Sequence, residues 1–365
     1  FLIAGILFNM YYQYSYEKDY LSEFSDQGEA LDKLETGTDL AVLKTGDESV
    51  YRYDQMGTHS YENSSMQTGT NGTSYYFSVA SGDITNFFNE VDLNTPWDYH
   101  YENLDSRTIL DRLAAVKYFV VKAGEEEYLP YGYDTLAAEV EKNDKLYRAY
   151  ECKNALPIGY TYDSYIPEEK YAKMSTVEKQ QALLQGVVLA DSAVPETTPE
   201  FNDREVPYKL VTGSGCREKD GKLIVTKENA QAKLVFDGLD ECETYLITEG
   251  VDYEALSPRE LISDKKWNKM TLYEQKKVQY ENSTWRYWKE SQKAYIDVTG
   301  QFLDKTISIF TDKYNAYSGR SDFLCNTGYS EKGKKSITLT FENTGVYSYK
   351  DMKVVCQPMK NIESQ

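Results

Sequence analysis

The chain has 365 residues, of which 41% are hydrophobic and 14% aromatic, and its formal net charge at pH 7 is −19. This length predicts two or three domains, and the hydrophobic fraction is sufficient for their cores. The negative charge argues against a nucleic-acid partner, because phosphate binding needs clustered Lys and Arg, and against peripheral binding to anionic lipid.

The first residues combine a short apolar run with a group of tyrosines. The run Phe1–Met10 is too short to cross a bilayer, and it lacks the basic start and the small-residue cleavage site of a signal peptide. Four tyrosines lie among residues 11–16, and tyrosine is enriched where membrane helices reach the lipid headgroups. Residues 1–16 are therefore predicted to be the end of a transmembrane helix, with a buried core element as the alternative.

Residues 17–190 alternate predicted strands and helices, which indicates a mixed α/β domain. Runs of apolar, β-branched or alternating residues predict strands at Val50–Met56, Tyr75–Ser78, Val116–Val121, Lys145–Glu151 and Ile158–Ile166. Helices are predicted to begin at Asp83, Ser106 and Asp134, and a Ser175–Glu178 capping box predicts another that ends near Leu189.

The second half of the chain has a different pattern. Residues 191–207 are rich in Pro, Thr and acidic side chains and are predicted to be a linker. Residues 208–365 carry short alternating strands separated by Gly, Asn or Asp, a pattern typical of a β-sandwich, here jelly-roll-like. The predicted fold class is therefore α+β, a mixed α/β N-terminal domain followed by a β-sandwich domain.

A helical insertion at 257–294 interrupts the predicted sandwich. It is basic within an acidic chain, and it contains three of the four tryptophans. Two interpretations stay open: an ordinary helical hairpin with buried Trp, or a surface that touches the membrane or an anionic polymer through charge and interfacial Trp.

Histidine and cysteine give little sign of a metal or cofactor site. The two histidines are His59 and His100, and the five cysteines lie far apart, without a CxxC or HExxH motif. An odd number of scattered cysteines does not indicate a disulfide framework and is interpreted as buried thiols. Neither a metal site nor a cofactor is predicted.

Several segments, taken in order, resemble the YfhO family of bacterial membrane proteins. They include NSSMQTGTNGTSYYFS, NLDSRTILDRLAAVKYFVV, NALPIGYTYDSYI and SDFLCNTGYSEKGKKSITLTFENTGVYSYKDMKVVCQPM. The resemblance implies a GT-C-like enzyme that takes a sugar from a polyprenyl-phosphate carrier and adds it to a cell-wall polymer. It also implies that this chain is the portion on the extracytoplasmic face of the cell membrane of a Gram-positive bacterium, cut at both ends.

The same resemblance places the catalytic carboxylates on a loop between membrane helices, so no catalytic residue is assigned here. Glycan or acceptor binding is predicted instead for Asn63, Asn71, Ser78, Asp105, Arg107, Tyr160, Tyr162 and Asp163. Amide, hydroxyl and guanidinium groups bind sugar or phosphate oxygens, and tyrosine rings stack on sugars. The alternatives are turn-forming Asn, local ion pairs, and tyrosines half-buried in sheets.

Two functions are compatible with these observations. The first is the extracytoplasmic region of a polytopic membrane glycosyltransferase that transfers a sugar to a polymer such as (lipo)teichoic acid. Its partners would be the polyprenyl-phosphate-linked sugar and the cell-wall glycopolymer, and it would reach the membrane through its N-terminal helix. The second is a non-catalytic carbohydrate-binding or adhesion module of the cell surface. The chain by itself is expected to be inactive in sugar transfer.

Overall fold

The fold is taken from a computed structural model of the chain. It describes residues 1–14, 34–56, 62–93, 99–288, 293–300, 304–312, 314, 317–360 and 362. His59 and Tyr16 lie outside the described residues. Within them the architecture is mixed α+β, with an N-terminal α/β domain followed by a β-sandwich, which confirms the predicted fold class.

The chain begins with helix α1, Leu2–Tyr14. Its apolar side chains are exposed, including Leu2 at 81%, Leu7 at 61% and Phe8 at 68%. The alternative of a buried core element is therefore wrong for Phe1–Met10. Among the described helices, none combines the length and hydropathy that a bilayer crossing requires. The membrane-helix assignment of residues 1–16 stays a prediction.

A four-stranded sheet forms the centre of the α/β domain. Its order is β1-β4-β6-β5, and β1 is parallel to β4 while the other pairs are antiparallel. The strands are β1 Arg52–Gln55, β4 Val116–Lys122, β5 Tyr133–Lys142 and β6 Lys145–Cys152. Because neighbouring side chains point to opposite faces, Phe119 and Val121 pack in one core and Tyr118 and Val120 in another.

Short elements surround this sheet. The helices are α2 Gly37–Leu43, α3 Ser64–Thr68, α4 Gly82–Glu90 and α5 Thr108–Leu113, and the strands are β2 Ser74–Tyr76 and β3 His100–Glu102. A second unit pairs β7 Tyr165–Pro167 in parallel with β8 Val187–Leu189, joined by α6 Glu168–Tyr171 and α7 Thr176–Gln185. Helix α2 covers the Tyr118 face of the sheet, through Ala41 and Val42.

The predicted capping box of α7 is present. The Glu178 amide donates to Ser175 Oγ at 3.2 Å, and the Ser175 amide donates to Glu178 Oε2 at 2.7 Å. We expect Ser175→Ala to lower the free energy of unfolding by about 1 kcal/mol, the usual value of an N-cap. Urea denaturation checks this, with Ser214→Ala in an exposed loop as the control. Equal effects of the two substitutions would contradict the prediction.

Some predicted elements are wrong. The helix predicted from Asp134 is strand β5, whose partner β6 follows after a turn at Asn143 and Asp144, both with φ near +55°. That turn closes a β-hairpin. The apolar residues of the segment fit the helical period and the strand period equally, so its pairing with β6 decides that it is a strand. The predicted strand Ile158–Ile166 is irregular up to β7.

Helix boundaries also differ from the predictions. Ser106 has φ +52° and precedes the N-cap, which is Arg107. Ser81 rather than Asp83 is the N-cap of α4, and α7 ends at Gln185 rather than near Leu189. Each shift is of a few residues, as expected where a cap depends on local dihedral angles rather than on residue type.

The sandwich places three sheets around one core. The sheet orders are β10-β13-β19-β16-β17, β11-β12-β20-β15 and β18-β14-β21-β9. The strands are β9 Arg204–Val206, β10 Tyr208–Thr212, β11 Cys216–Lys219, β12 Lys222–Val225, β13 Ala230–Phe236, β14 Cys242–Glu249, β15 Asp252–Ala255, β16 Lys293–Thr299, β17 Asp304–Phe310, β18 Phe323–Ser330, β19 Ser336–Phe341, β20 Gly345–Ser348 and β21 Asp351–Pro358.

Strand β9 lies inside the predicted linker 191–207 and pairs with β21. The insertion contains α8 Asp264–Trp267 and α9 Leu272–Trp288.

Candidate functional site

A buried polar junction joins the two domains. Its first half is the tight turn before α5, where Asn103, Asp105 and Ser106 all have positive φ. This turn lies against β18: the Asn326 amide donates to Asp105 Oδ2 at 3.2 Å, and its side chain donates to the Ser106 carbonyl at 2.9 Å. The turn therefore fixes the α/β domain on the sandwich.

Arg107 is the largest side chain in this junction and is fully buried. Its Nη1 donates to Gln180 Oε1 at 3.4 Å and its Nη2 to the Val91 carbonyl, and its Nε lies 4.0 Å from Asp105 Oδ2. Lys305 Nζ lies 2.7 Å from the other Asp105 oxygen. The two charges of Asp105 and Arg107 are thus compensated inside the protein, as buried charges must be.

Glu243 completes the junction from the sandwich side. Its Oε1 accepts from the Thr108 amide at 3.0 Å and from Thr108 Oγ1 at 2.5 Å, while Oε2 accepts from the Tyr245 hydroxyl at 2.5 Å. Burial raises the pKa of Glu243, and the hydrogen bonds from Thr108 and Tyr245 oppose that shift. Gln180 Nε2 also donates to the Tyr245 hydroxyl at 3.1 Å. This network is closed and inaccessible, so its role is to hold the domains together.

A second buried charge cluster lies within the α/β domain. Asp54 of β1 and Asp111 of α5 are both fully buried, and the charge of Asp54 acts on Asp111. Asp54 accepts from the Gln55 amide at 2.6 Å, from Thr73 Oγ1 at 2.8 Å and from the Leu104 amide at 3.2 Å. Asp111 has no such donors among the described residues. Burial first, and then the charge of Asp54, raises the pKa of Asp111 well above its ordinary value, whereas hydrogen bonds oppose the rise at Asp54, so a proton on this pair is assigned to Asp111.

Beside the junction, an open cleft of about 380 Å³ separates the two domains. Helices α4 and α7 form one wall and strands β9, β14 and β21 the other. Six carboxylates line it together with two lysines: Glu90, Asp92, Asp203, Glu205, Glu249, Asp322, Lys179 and Lys353. A recess of about 270 Å³ at residues 318–322 shares Asn89, Asp92 and Asp322 with it.

Several cleft side chains are held in place by hydrogen bonds and ion pairs. Lys179 pairs with Glu90, and the Thr176 hydroxyl donates to Asp92. Lys353 Nζ lies 3.7 Å from Glu249 Oε1. It lies 2.7 Å from Oδ2 of Asp351, a residue that does not line the cleft. Polar groups fixed in this way on two walls present mostly hydrogen-bond acceptors, which suits a ligand with several hydroxyl groups.

A second cavity, of about 400 Å³, is apolar and lies on the α/β domain. Its lining includes Ile84 and Phe87 of α4, which are 44% and 39% exposed, and Tyr75 of β2. Tyr75 stacks on Phe77 with a centroid distance of 5.6 Å. Because its lining surface is mostly apolar, this cavity suits an apolar ligand better than a hydroxylated one.

The eight predicted glycan-binding residues lie in three places. Asp105 and Arg107 are buried in the junction, where an external glycan cannot touch them in this structure. Asn63 exchanges two hydrogen bonds with the backbone of Tyr76, at 2.9 and 3.1 Å, and so braces β2. Asn71 donates to the Tyr51 carbonyl at 3.1 Å, and Ser78 is exposed nearby in the chain.

The remaining three belong to the loop that precedes β7. The rings of Tyr160 and Tyr162 meet edge to face at 5.5 Å. Their hydroxyls donate to the carbonyls of Leu113 and Leu183, which ties the loop to α5 and α7, and Asp163 is exposed. Sequence reasoning missed the cleft, because its walls come from segments far apart in the chain and no single segment has a motif.

No three His, Cys, Asp or Glu side chains of the described ranges are arranged to hold a metal ion. The five cysteines are all buried thiols. Burial raises the pKa of Cys242 and of Cys325 to about 12, so both are protonated and unreactive at neutral pH.

Comparison with known proteins places these features in a family. The sequence model described as "Bacterial membrane protein YfhO" matches residues 1–364. "Uncharacterized protein YfhO" of Bacillus subtilis (strain 168) is 28% identical over 244 residues, which are 61% of this chain. The match spans 27% of that relative's own length.

A solved structure was also matched, that of the uncharacterized protein lmo2446 from Listeria monocytogenes EGD-e in complex with glucose, magnesium and calcium. It is 9% identical with a TM-score of 0.20, and the match covers 66% of this chain and 18% of that chain. A similarity this weak supports no conclusion. The family match, in contrast, takes in nearly the whole sequence, and the chain belongs to the YfhO family of bacterial membrane proteins.

Proposed function

We propose that this chain is the extracytoplasmic region of a polytopic membrane glycosyltransferase. The enzyme transfers a sugar from a polyprenyl-phosphate carrier to a cell-wall polymer such as (lipo)teichoic acid, on the outer face of the membrane of a Gram-positive bacterium. Membership of a bacterial membrane protein family and the exposed apolar helix α1 support this location.

One observation carries the proposal: the polar cleft between the domains. Its walls belong to the two domains, which the junction joins through the contacts of Asp105 with Asn326 and of Thr108 with Glu243. Carboxylate and amide groups such as Glu205 and Asn89 accept and donate hydrogen bonds to sugar hydroxyls, with no need for a charged ligand. The cleft thus serves as the acceptor site, and a fixed cleft presents the polymer end in one orientation.

The chemical step is assigned to the membrane-embedded part of the parent protein. The purified chain is therefore expected to show no transfer from a polyprenyl-phosphate sugar to the polymer, as measured with a radiolabelled donor. Transfer by this chain unaided would overturn the assignment.

The acceptor site is tested in cells that carry the full-length parent protein. Asn89→Ala combined with Glu205→Ala removes one polar group from each wall, and both side chains are exposed and outside the junction. We expect about a tenfold fall in the sugar content of the polymer, from the loss of two hydrogen bonds, one of them to a charged group. Chromatographic analysis of the extracted polymer measures it.

The matched control is Asn154→Ala combined with Glu218→Ala, which changes the same residue types at exposed positions outside the cleft. It is expected to leave the sugar content unchanged. Equal losses in both variants would place the acceptor elsewhere. If the parent protein binds the polymer but no strain that carries it adds sugar to the polymer, the result would instead favour a carbohydrate-binding or adhesion module.

A further inference from the structure

The two helices of the insertion form a basic unit, which we call the basic hairpin and define as residues 264–288. It contains six basic and three acidic side chains, a net charge of +3, whereas the whole chain has −19. Nothing in the proposed acceptor cleft involves this unit. Its charge therefore needs a separate explanation.

The inner face of the basic hairpin is packed and anchored. Val278 is 8% exposed, and Trp285 packs against the sandwich core. Asn282 Oδ1 accepts from the Arg259 amide at 3.2 Å, and the Arg259 guanidinium lies 4.4 Å from the centre of the Trp267 ring. These contacts hold the hairpin on the sandwich and fix which side of α9 faces outward.

The N-terminus of α9 is also fixed. The Thr271 amide donates to Glu274 Oε2 at 2.7 Å, and the Glu274 amide donates to Thr271 Oγ1 at 3.3 Å. These two bonds form a capping box. The first turn of α9 is thus held in a helical conformation, so the side chains of its outer face have defined positions.

The outer face carries a stripe of tyrosine and lysine. At 100° per residue, Tyr273, Lys276 and Tyr280 lie opposite Val278 and Trp285, and the exposed Lys277 lies beside them on the flank of the helix. Tyr273 is 79% exposed and Tyr280 is 74% exposed. The two tyrosines are seven residues apart, which is about 10 Å along the axis. Lys277 lies 4.0 Å from Glu281, an exposed pair that contributes little.

We propose that this outer face binds a linear polyanion with repeating phosphates and hydroxyl-bearing units. Lysine ammonium groups act as mobile point charges for phosphate, and the tyrosines offer a ring face and a hydroxyl to the units between phosphates. The basic hairpin is a positively charged unit of an acidic chain, so the charged part of such a polymer is attracted to it.

An anionic bilayer fits this face less well. Helices that lie in the membrane interface insert an apolar face of Leu, Phe or Trp. Here the apolar face of α9 is turned to the sandwich, and the exposed side carries Leu272 as its large aliphatic residue. The proposal deepens the proposed function, since it rests on a phosphate-rich acceptor and gives that acceptor a second contact outside the cleft.

The test measures binding alone, with the full chain in a nonionic detergent and a synthetic poly(glycerol phosphate) as the probe. Lys276→Gln combined with Lys277→Gln is expected to weaken binding about tenfold, the sum of two exposed ion pairs, and to reduce its salt dependence. The control is Lys219→Gln combined with Lys222→Gln, two exposed lysines on the β11–β12 hairpin, which changes the net charge equally.

Loss of binding in the α9 variant with the control unchanged supports the proposal. Equal loss in both variants, or no binding by the unmodified chain, overturns it. Binding to vesicles of equal parts phosphatidylglycerol and phosphatidylcholine, without binding to the polymer, also overturns it in favour of a membrane contact. Sugar transfer by the parent protein is measured separately, so failure here leaves the test of the acceptor cleft intact.

Discussion

Replacing Arg107 with alanine is expected to lower the free energy of unfolding by about 3–5 kcal/mol, the cost of breaking a buried ion pair. The substitution leaves the Asp105 carboxylate buried, with Lys305 Nζ at 2.7 Å from it. It also removes the donors to Gln180 and to the Val91 carbonyl. The substitution thus removes the guanidinium that holds Asp105 and Gln180, and both of these residues bind the sandwich.

Urea denaturation followed by tryptophan fluorescence measures this loss. Arg148→Ala is the matched control, because Arg148 pairs with Glu126 at 2.6 Å and Glu139 at 3.4 Å but is 30% exposed. We expect that control to cost at most about 1 kcal/mol, as for surface ion pairs. Similar losses in the two variants would show that the junction is not the main link between the domains.

The buried acid pair gives the second large effect. Because the pKa of Asp111 is raised in the folded protein, folding takes up a proton that the unfolded chain releases. The contribution of Asp111 to stability is therefore complete below about pH 4. It declines as the pH rises toward the pKa that Asp111 has in the folded protein. Asp111→Asn supplies an N–H donor to Asp54 without proton uptake. We expect it to raise the free energy of unfolding at about pH 6.5 by about 1–3 kcal/mol and to flatten its pH dependence.

The partner residue provides the control for this prediction. Asp54→Asn keeps the same shape but places an amide where three donors point, from Gln55, Thr73 and Leu104. We expect it to destabilise the fold by about 2–4 kcal/mol. Stabilisation by both substitutions, or by neither, would contradict the assignment of the proton to Asp111.

The pH dependence of the free energy of unfolding is best measured below neutral pH. Burial lowers the pKa of Lys334, which donates to the Thr327 carbonyl, to about 7. Above that pH the unfolded chain binds a proton that the folded chain has released, so stability rises with pH there. Chemical denaturation between about pH 4 and about pH 6.5 separates the acid pair from this opposite effect.

Local patterns in the sequence were sufficient for much of the architecture. Alternation in AQAKLVF predicts β13, whose residues are alternately buried and exposed. The capping boxes at Ser175 and Thr271 involve residues three apart, so the sequence itself contains both partners. The ordered family segments identified the family, which the comparison confirmed. The strand and the capping boxes depend on neighbours within a few positions, and the family match depends on whole segments of the sequence.

Tertiary structure decided the rest. Leu136 and Val140 fit a helix as well as a strand, and only pairing with β6 made the segment a strand. Glu243 follows two other acidic residues and looks solvated in the sequence, yet it is fully buried beneath Thr108. The cleft, the Arg107 junction and the acid pair all join groups from distant segments. Whether a charged side chain is a surface group or a buried one depends on those distant partners, and no local pattern contains them.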